Sequence, residues 1–263
     1  MTVVDPAPAE PAPAARTSTG APTNTPADTP ADTPADTGLA VLDNPAWHAL
    51  TGPHQRFAQR YGDAVRYQPD VSVFTALPDR ATEQDWHDLA RLVGPGEIVP
   101  VTGTSVEPPA GWEVVESGRG VQMIAESLVP EPDPEAVVLG ASDVPEMLAL
   151  VERTKPGPFK RRTVELGTYL GIRREGRLVA MAGQRLRPPG WTEISAVCTD
   201  ADARGQGLAG RLVRAVAHEI VARGDRVLLH ASAANTNAIR LYEQLGFTLR
   251  KETTFSALRT PRP

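Results

Sequence analysis

The 263-residue chain has a single cysteine, Cys198, so it cannot close an intrachain disulfide or build a Cys-based zinc cluster. No stretch approaches the roughly 18 consecutive apolar residues of a membrane-spanning helix. The first residues, MTVVDPAPAE, lack both the basic and the apolar region of a secretion signal. These absences predict a cytoplasmic protein with no membrane partner. Aromatic residues make up only 5% of the chain, and none occurs in residues 1–38. That segment repeats Pro-Ala-Asp-Thr three times and cannot bury enough apolar surface to offset the entropy of ordering it. It is expected to be disordered and without catalytic role. His48, His54 and His87 have no Cys, Asp or second His at ligand-like spacing, so no metal is expected.

Hydrophobic residues are 41% of the chain, enough for a sizeable core. The formal charge of −5 is unevenly distributed: residues 1–38 carry −4, residues 39–135 carry −9 and residues 136–263 carry +8. The basic C-terminal half suits an anionic ligand. Its cations are scattered over helices and strands without a patch interleaved with aromatics, so nucleic acid is not expected. Docking of two oppositely charged halves on each other accounts for part of the asymmetry.

Periodicity divides residues 39–132 into an amphipathic segment (45–61), a strand (72–77), an acidic helix (83–93) and two apolar strands (97–101 and 121–124) around Pro108 and Pro109. Trp47, Trp86 and Trp112 are expected as packing anchors. From residue 133 the pattern is clearer. A strand at 136–139 precedes a helix at 143–154 with Ser142 as its cap. Strands at 167–172 and 177–182 form a hairpin over residues 173–176, and a third strand follows at 191–197. A helix at 206–223 ended by Gly224, a strand at 226–231, a helix at 237–245 and a strand at 247–251 complete the chain. The order predicts an α/β fold of the α+β type, a mixed and mostly antiparallel sheet flanked by helices, preceded by a smaller α/β N-terminal domain. The expected division is 1–38 tail, 39–132 N-terminal domain, 133–263 C-terminal domain.

Gly205, Gly207 and Gly210 spell G-x-G-x-x-G, the spacing of a dinucleotide-binding turn. Such a turn follows its strand directly and has an acid about 20 residues on, at the end of the next strand. Here six residues intervene, and the next strand ends in Leu229-His-Ala-Ser232. Gly210 falls inside the helix and is assigned to packing. What remains is a turn, Arg204-Gly205-Gln206-Gly207-Leu208-Ala209, whose backbone N–H groups converge at a helix N-terminus and make an anion cradle.

These residues resemble the diphosphate loop of the GNAT superfamily of acyl-CoA-dependent N-acyltransferases, with Arg204, Gly207 and Ala209 at the fixed positions. The later stretch Asn235-Thr-Asn-Ala238-Ile-Arg-Leu-Tyr242-Glu-Gln-Leu-Gly246-Phe247 is similar to a second motif of that superfamily. The resemblance covers about residues 136–255. Residues 39–132 are open to reading as a degenerate half-copy of the same fold, although no second phosphate loop is visible there.

The resemblance implies an N-acetyltransferase that takes acetyl-CoA as cosubstrate and a small-molecule amine or a protein amino group as acceptor, with a homodimer allowed. The alternative is a catalytically silent acyl-CoA sensor. Donor binding is expected from the cradle, from Asn235 and Ala238, and from main-chain groups of Val197 and Thr199 where the third strand splays from its neighbour. An unpaired N–H of Val197 or Cys198 would hold the oxyanion. Tyr242 matches the superfamily's general acid. Glu193, the only acid on its strand, is expected as general base through water; the superfamily's usual glutamate lies nearer Trp191, on the same face by period two. Cys198 with His230 on the neighbouring strand offers an acyl-enzyme route, which the burial habit of a lone cysteine disfavours. Specificity is expected from the loop 155–166.

Overall fold

The computed structural model describes residues 38–102 and 107–262. The Pro-, Ala- and Thr-rich tail, apart from Gly38, lies outside the described residues. Pro45 occupies the first turn of α1 (Pro45–Leu50), where its missing N–H leaves nothing unpaired. Gly52 and Pro53 then stop the helix, so the amphipathic segment 45–61 divides into α1, a 3-10 turn (Gln55–Phe57) and β1 (Ala58–Tyr61). β2 (Ala64–Tyr67) returns antiparallel to β1, and β3 (Thr75–Ala76) is shorter than the apolar run 72–77 suggested. Thr82 begins α2 (Glu83–Val93) with a capping box: its hydroxyl accepts from the Asp85 N–H, and the Asp85 carboxylate accepts from the Thr82 N–H at 2.7 Å. β4 (Ile98–Thr102) follows, and then β5 (Glu113–Ala125), a 13-residue strand where sequence periodicity marked only 121–124.

β6 (Val137–Leu139) leads into α3 (Val144–Thr154). Ser142 is not the cap of that helix. It sits inside a 3-10 turn (Ala141–Asp143), and Asp143 closes the turn by accepting from the Gly140 N–H at 2.9 Å. β7 (Tyr169–Arg174) and β8 (Arg177–Gln184) form the expected hairpin. β9 (Trp191–Thr199), α4 (Leu208–Ala222), β10 (Arg226–Ser232), α5 (Thr236–Leu245) and β11 (Phe247–Arg259) complete the chain.

The eleven strands among the described residues join one mixed sheet in the order β1-β2-β3-β4-β11-β5-β10-β9-β8-β7-β6. Only β3–β4 and β9–β10 pair in parallel, each pair joined by a helix, α2 in one half and α4 in the other. The halves exchange strands. β5 runs beside β10, and β11, the last strand, runs beside β4. The polypeptide therefore completes each half with a strand from the other.

The largest core lies between α4 and the sheet. Leu212, Val213, Val216, Ala217 and Ile220 recur at helical spacing and are fully buried there, each large side chain contributing about 1.5–3 kcal/mol of transfer energy. Gly210 is buried inside α4 against Leu241 and Leu245 of α5, a packing position. In the N-terminal half Trp86 is buried and meets Trp112 edge to face at 5.0 Å.

Candidate active site

Past the end of β9 the chain makes a 3-10 turn (Ala201–Ala203) and enters the glycine-rich segment. Gly205 and Gly207 have φ of +78° and +71°, a conformation that costs an L-residue roughly 1–2 kcal/mol. Gly207 directly precedes α4, so the free N–H groups of the first turn and the positive end of the helix dipole lie together. Leu208 is buried and anchors the turn, while Arg204, Gln206 and both glycines are exposed. The Arg204 guanidinium reaches the Thr199 carbonyl at 3.4 Å.

β10 pairs with β9 only as far as Leu229 opposite Ile194. Beyond that pair Ser195–199 have β8 alone as neighbour, and a bulge at Ala196, with φ +53°, leaves Val197 without a register partner on either side. The gap opens into a cavity of about 910 Å³, whose wall includes Val197, Thr199, Arg204, Gly205, Gly207, Leu208 and Ala209. Asn235, Ala238 and Tyr242 of the α5 segment line it as well; Gln206 and Glu193 do not. Asn235 caps α5 by accepting from the Ala238 N–H at 3.1 Å, which leaves its amide N–H₂ free of that role. Burial, with the neighbouring Cys198 sulfur second, pushes the Tyr242 phenol up to about 12. Burial also pushes the Cys198 thiol up to about 11, so the sulfur stays protonated and is a poor nucleophile.

Glu193 has no solvent exposure. Its carboxylate takes a two-point contact from Arg185, at 2.9 and 2.5 Å, and the Leu186 N–H at 3.2 Å. Burial opposes its ionisation, but the charge and hydrogen bonds of Arg185 and His230 outweigh this and hold the carboxyl well below its usual range. The His230 Nδ1 lies 2.7 Å from Glu193 Oε1, and its Nε2 lies 3.0 Å from the Gln122 amide nitrogen. The Gln122 amide is oriented by two further partners: its nitrogen donates to the Leu42 carbonyl at 2.7 Å, and its oxygen accepts from Arg250 at 2.8 Å. The Gln122 N–H₂ therefore points at Nε2, and the Glu193 carboxylate accepts from Nδ1–H. His230 and Arg185 both line the cavity, so Glu193 faces that space through these two partners.

Two rings flank this triad. Phe74 carries the Arg185 guanidinium 4.9 Å from its centroid, and Phe255 meets His230 edge to face at 6.2 Å. Phe255 can lie across β5 because residue 120 is glycine; a Cβ there would overlap the ring. The loop 155–166 is tied to the N-terminal half. The Arg162 N–H donates to the Asp70 carbonyl at 2.9 Å, and the Thr163 hydroxyl to the Val71 carbonyl at 2.7 Å. Periodicity pointed to none of Arg185, Gln122, Phe74 and Phe255, because they come from separate segments and carry no local motif.

The model of the FR47-like protein family matches residues 169–256. The crystal structure of a protein assigned to the GNAT acetyltransferase family, from Novosphingobium aromaticivorans, is 41% identical; the match covers 84% of this chain and 99% of that one, with a TM-score of 0.76. A GCN5-related N-acetyltransferase from Kribbella flavida shares the fold at 17% identity, covering 83% of this chain and 96% of that one, with a TM-score of 0.57. A mycothiol acetyltransferase of Corynebacterium aurimucosum is 38% identical over 65 residues, 24% of this chain and 21% of that protein. The chain thus spans about a fifth of the length of the curated relatives it matches.

Proposed function

The chain belongs to the GNAT family of acetyltransferases, and from that premise we propose that it transfers an acetyl group from acetyl-CoA to a primary amine by direct attack in a ternary complex. The observation that carries this reading is one continuous cavity joining a glycine turn at a helix N-terminus, a strand splay and an imidazole backed by a buried carboxylate.

The fit to an acyl-CoA rests on these features. The cradle at 204–209 would hold the diphosphate, and Asn235 with Ala238 would border it. The unpaired edge of β9 at Val197 and Thr199 would bond the amide groups of the pantetheine arm. Acetyl-CoA supplies the activated acyl group. The Val197 N–H, lacking a register partner on either neighbouring strand, donates to the carbonyl oxygen as charge develops there, an arrangement worth about 3–4 kcal/mol in other enzymes.

The acceptor must be a free amine before it attacks. His230 takes the proton, competing for it with the Gln122 amide at Nε2, while Glu193 fixes the ring through Nδ1 and stabilises the imidazolium. Glu193 is on this reading a positioning residue that serves the base role through His230. As the C–N bond forms and the C–S bond breaks, the Tyr242 hydroxyl gives its proton to the departing sulfur. With its pKa pushed up to about 12, Tyr242 remains a donor at any working pH, and placement has to provide the driving force.

Thiol release from acetyl-CoA in the presence of an amine panel tests the reading. Tyr242→Phe should lower kcat by about a hundredfold while leaving the KM for acetyl-CoA intact. Binding of acetyl-CoA by calorimetry with no transfer to any amine would favour a silent acyl-CoA sensor.

A further inference from the structure

The cavity wall is lopsided in charge. Among the described residues that line it, Glu116 is the only acid, against Arg119, Lys155, Arg185 and Arg204. These cations divide by place. Arg204 belongs to the cradle, at the donor end, and Lys155 opens the loop 155–166 that follows α3. At the other end Arg185 is neutralised by Glu193, and Arg119 pairs with Glu252 at 2.5 Å. The acceptor end thus offers one unpaired carboxylate, Glu116 at its rim, and no unpaired cation. Phe74, Phe255, Val73 and Pro100 give it an apolar surface, with Ser256 beside them.

A polycationic acceptor buried there would keep several ammonium groups without counter-charges, and an acidic acceptor would find no free cation. An acceptor with one ammonium group and a flat apolar body leaves neither unpaired. Phe74 packs on Arg185, Phe255 packs on His230, and both rings line the cavity, so an aromatic body laid against them would hold an amine on a short tether near His230.

We infer that the acceptor class is arylalkyl monoamines, with Phe74 and Phe255 as the residues that select the aromatic body. This rests on the transferase reading above. In the reaction His230 takes the ammonium proton and passes it to solvent, the free amine nitrogen bonds the acetyl carbon, the thioester C–S bond breaks as the sulfur takes the Tyr242 proton, and the proton that the new amide nitrogen sheds restores the Tyr242 hydroxyl. The products are the N-acetylated arylalkylamine and coenzyme A.

The test uses the full chain with acetyl-CoA and four acceptors: 2-phenylethylamine, tryptamine, spermidine and kanamycin. Both arylalkylamines should show kcat/KM at least about tenfold above the two polycations. Phe255→Ala should raise the KM for 2-phenylethylamine about tenfold, with the KM for acetyl-CoA unchanged as the sign of an intact donor site. Preference for spermidine or kanamycin would overturn the inference while leaving the transferase reading standing, as would a Phe255→Ala variant with unaltered acceptor KM. Transfer to none of the four, with acetyl-CoA bound, would overturn the inference, and extending the amine panel then decides the transferase reading separately.

Discussion

His230 donates its Nδ1 hydrogen to Glu193 across 2.7 Å, and the carboxylate that accepts it has no solvent exposure. The imidazole is part of the cavity wall while its partner is behind the wall, so one end of the pair is open to substrate and the other is fixed by Arg185.

That fixing has an energetic signature. Glu193→Gln leaves the Arg185 guanidinium buried without a counter-charge and should cost about 3–5 kcal/mol of stability. Replacing both partners, as in Arg185→Met with Glu193→Leu, removes the stranded charge and should recover most of that loss. Urea midpoints of the wild type, the single and the double variant decide it; losses that simply add would mean the two side chains are not coupled.

Gln122 holds the Nε2 edge of His230. Gln122→Leu would remove that partner and loosen the imidazole, and should lower kcat severalfold at an unchanged KM for acetyl-CoA. An unaltered kcat would remove His230 from the proton path.

Gly120 makes room for Phe255, so Gly120→Val should displace the ring. The expected result is a several-fold higher acceptor KM at unchanged acetyl-CoA KM. A parallel rise in both constants would indicate general disruption of the sheet instead.

His54 gives the fold an acid sensitivity remote from catalysis. Burial first, then repulsion from Arg187 and Arg56, lowers its pKa from 6.5 to about 4, and its Nδ1 lies 2.9 Å from the Tyr67 hydroxyl. The unfolded chain takes up this proton near pH 6.5, whereas the folded chain resists it until about pH 4. The stabilisation is complete above pH 6.5 and is lost as pH falls from 6.5 towards 4, by about 3 kcal/mol in total. His54→Gln should flatten the dependence of the urea midpoint between pH 6.5 and 5.

The sequence made the C-terminal half readable because its elements announce themselves locally. The turn before β8, the glycine ahead of α4 and the Asn235 cap each depend on residues a few positions apart. The N-terminal half is set by distant partners. β5 carries Gly118, Gly120 and several charged residues that argue against a strand, yet pairing with β10 and β11 on its two sides holds it extended. The turn 204–209 and Tyr242, most of which line one cavity, could be singled out for the same local reason. The setting of Glu193 was not, since Arg185 follows β8 while His230 and Gln122 lie on β10 and β5, and they meet it only when the sheet is assembled.

The strand exchange bears on how the molecule is made. β4 lies bare until β11 covers it, and the paired residues Val101 and Ser256 are about 155 positions apart. During synthesis the N-terminal half has its helix and its parallel pair long before its covering strand leaves the ribosome. Closure of both halves is thereby postponed until β11 is made, and a chain ending before residue 252 would leave an open sheet edge on β4.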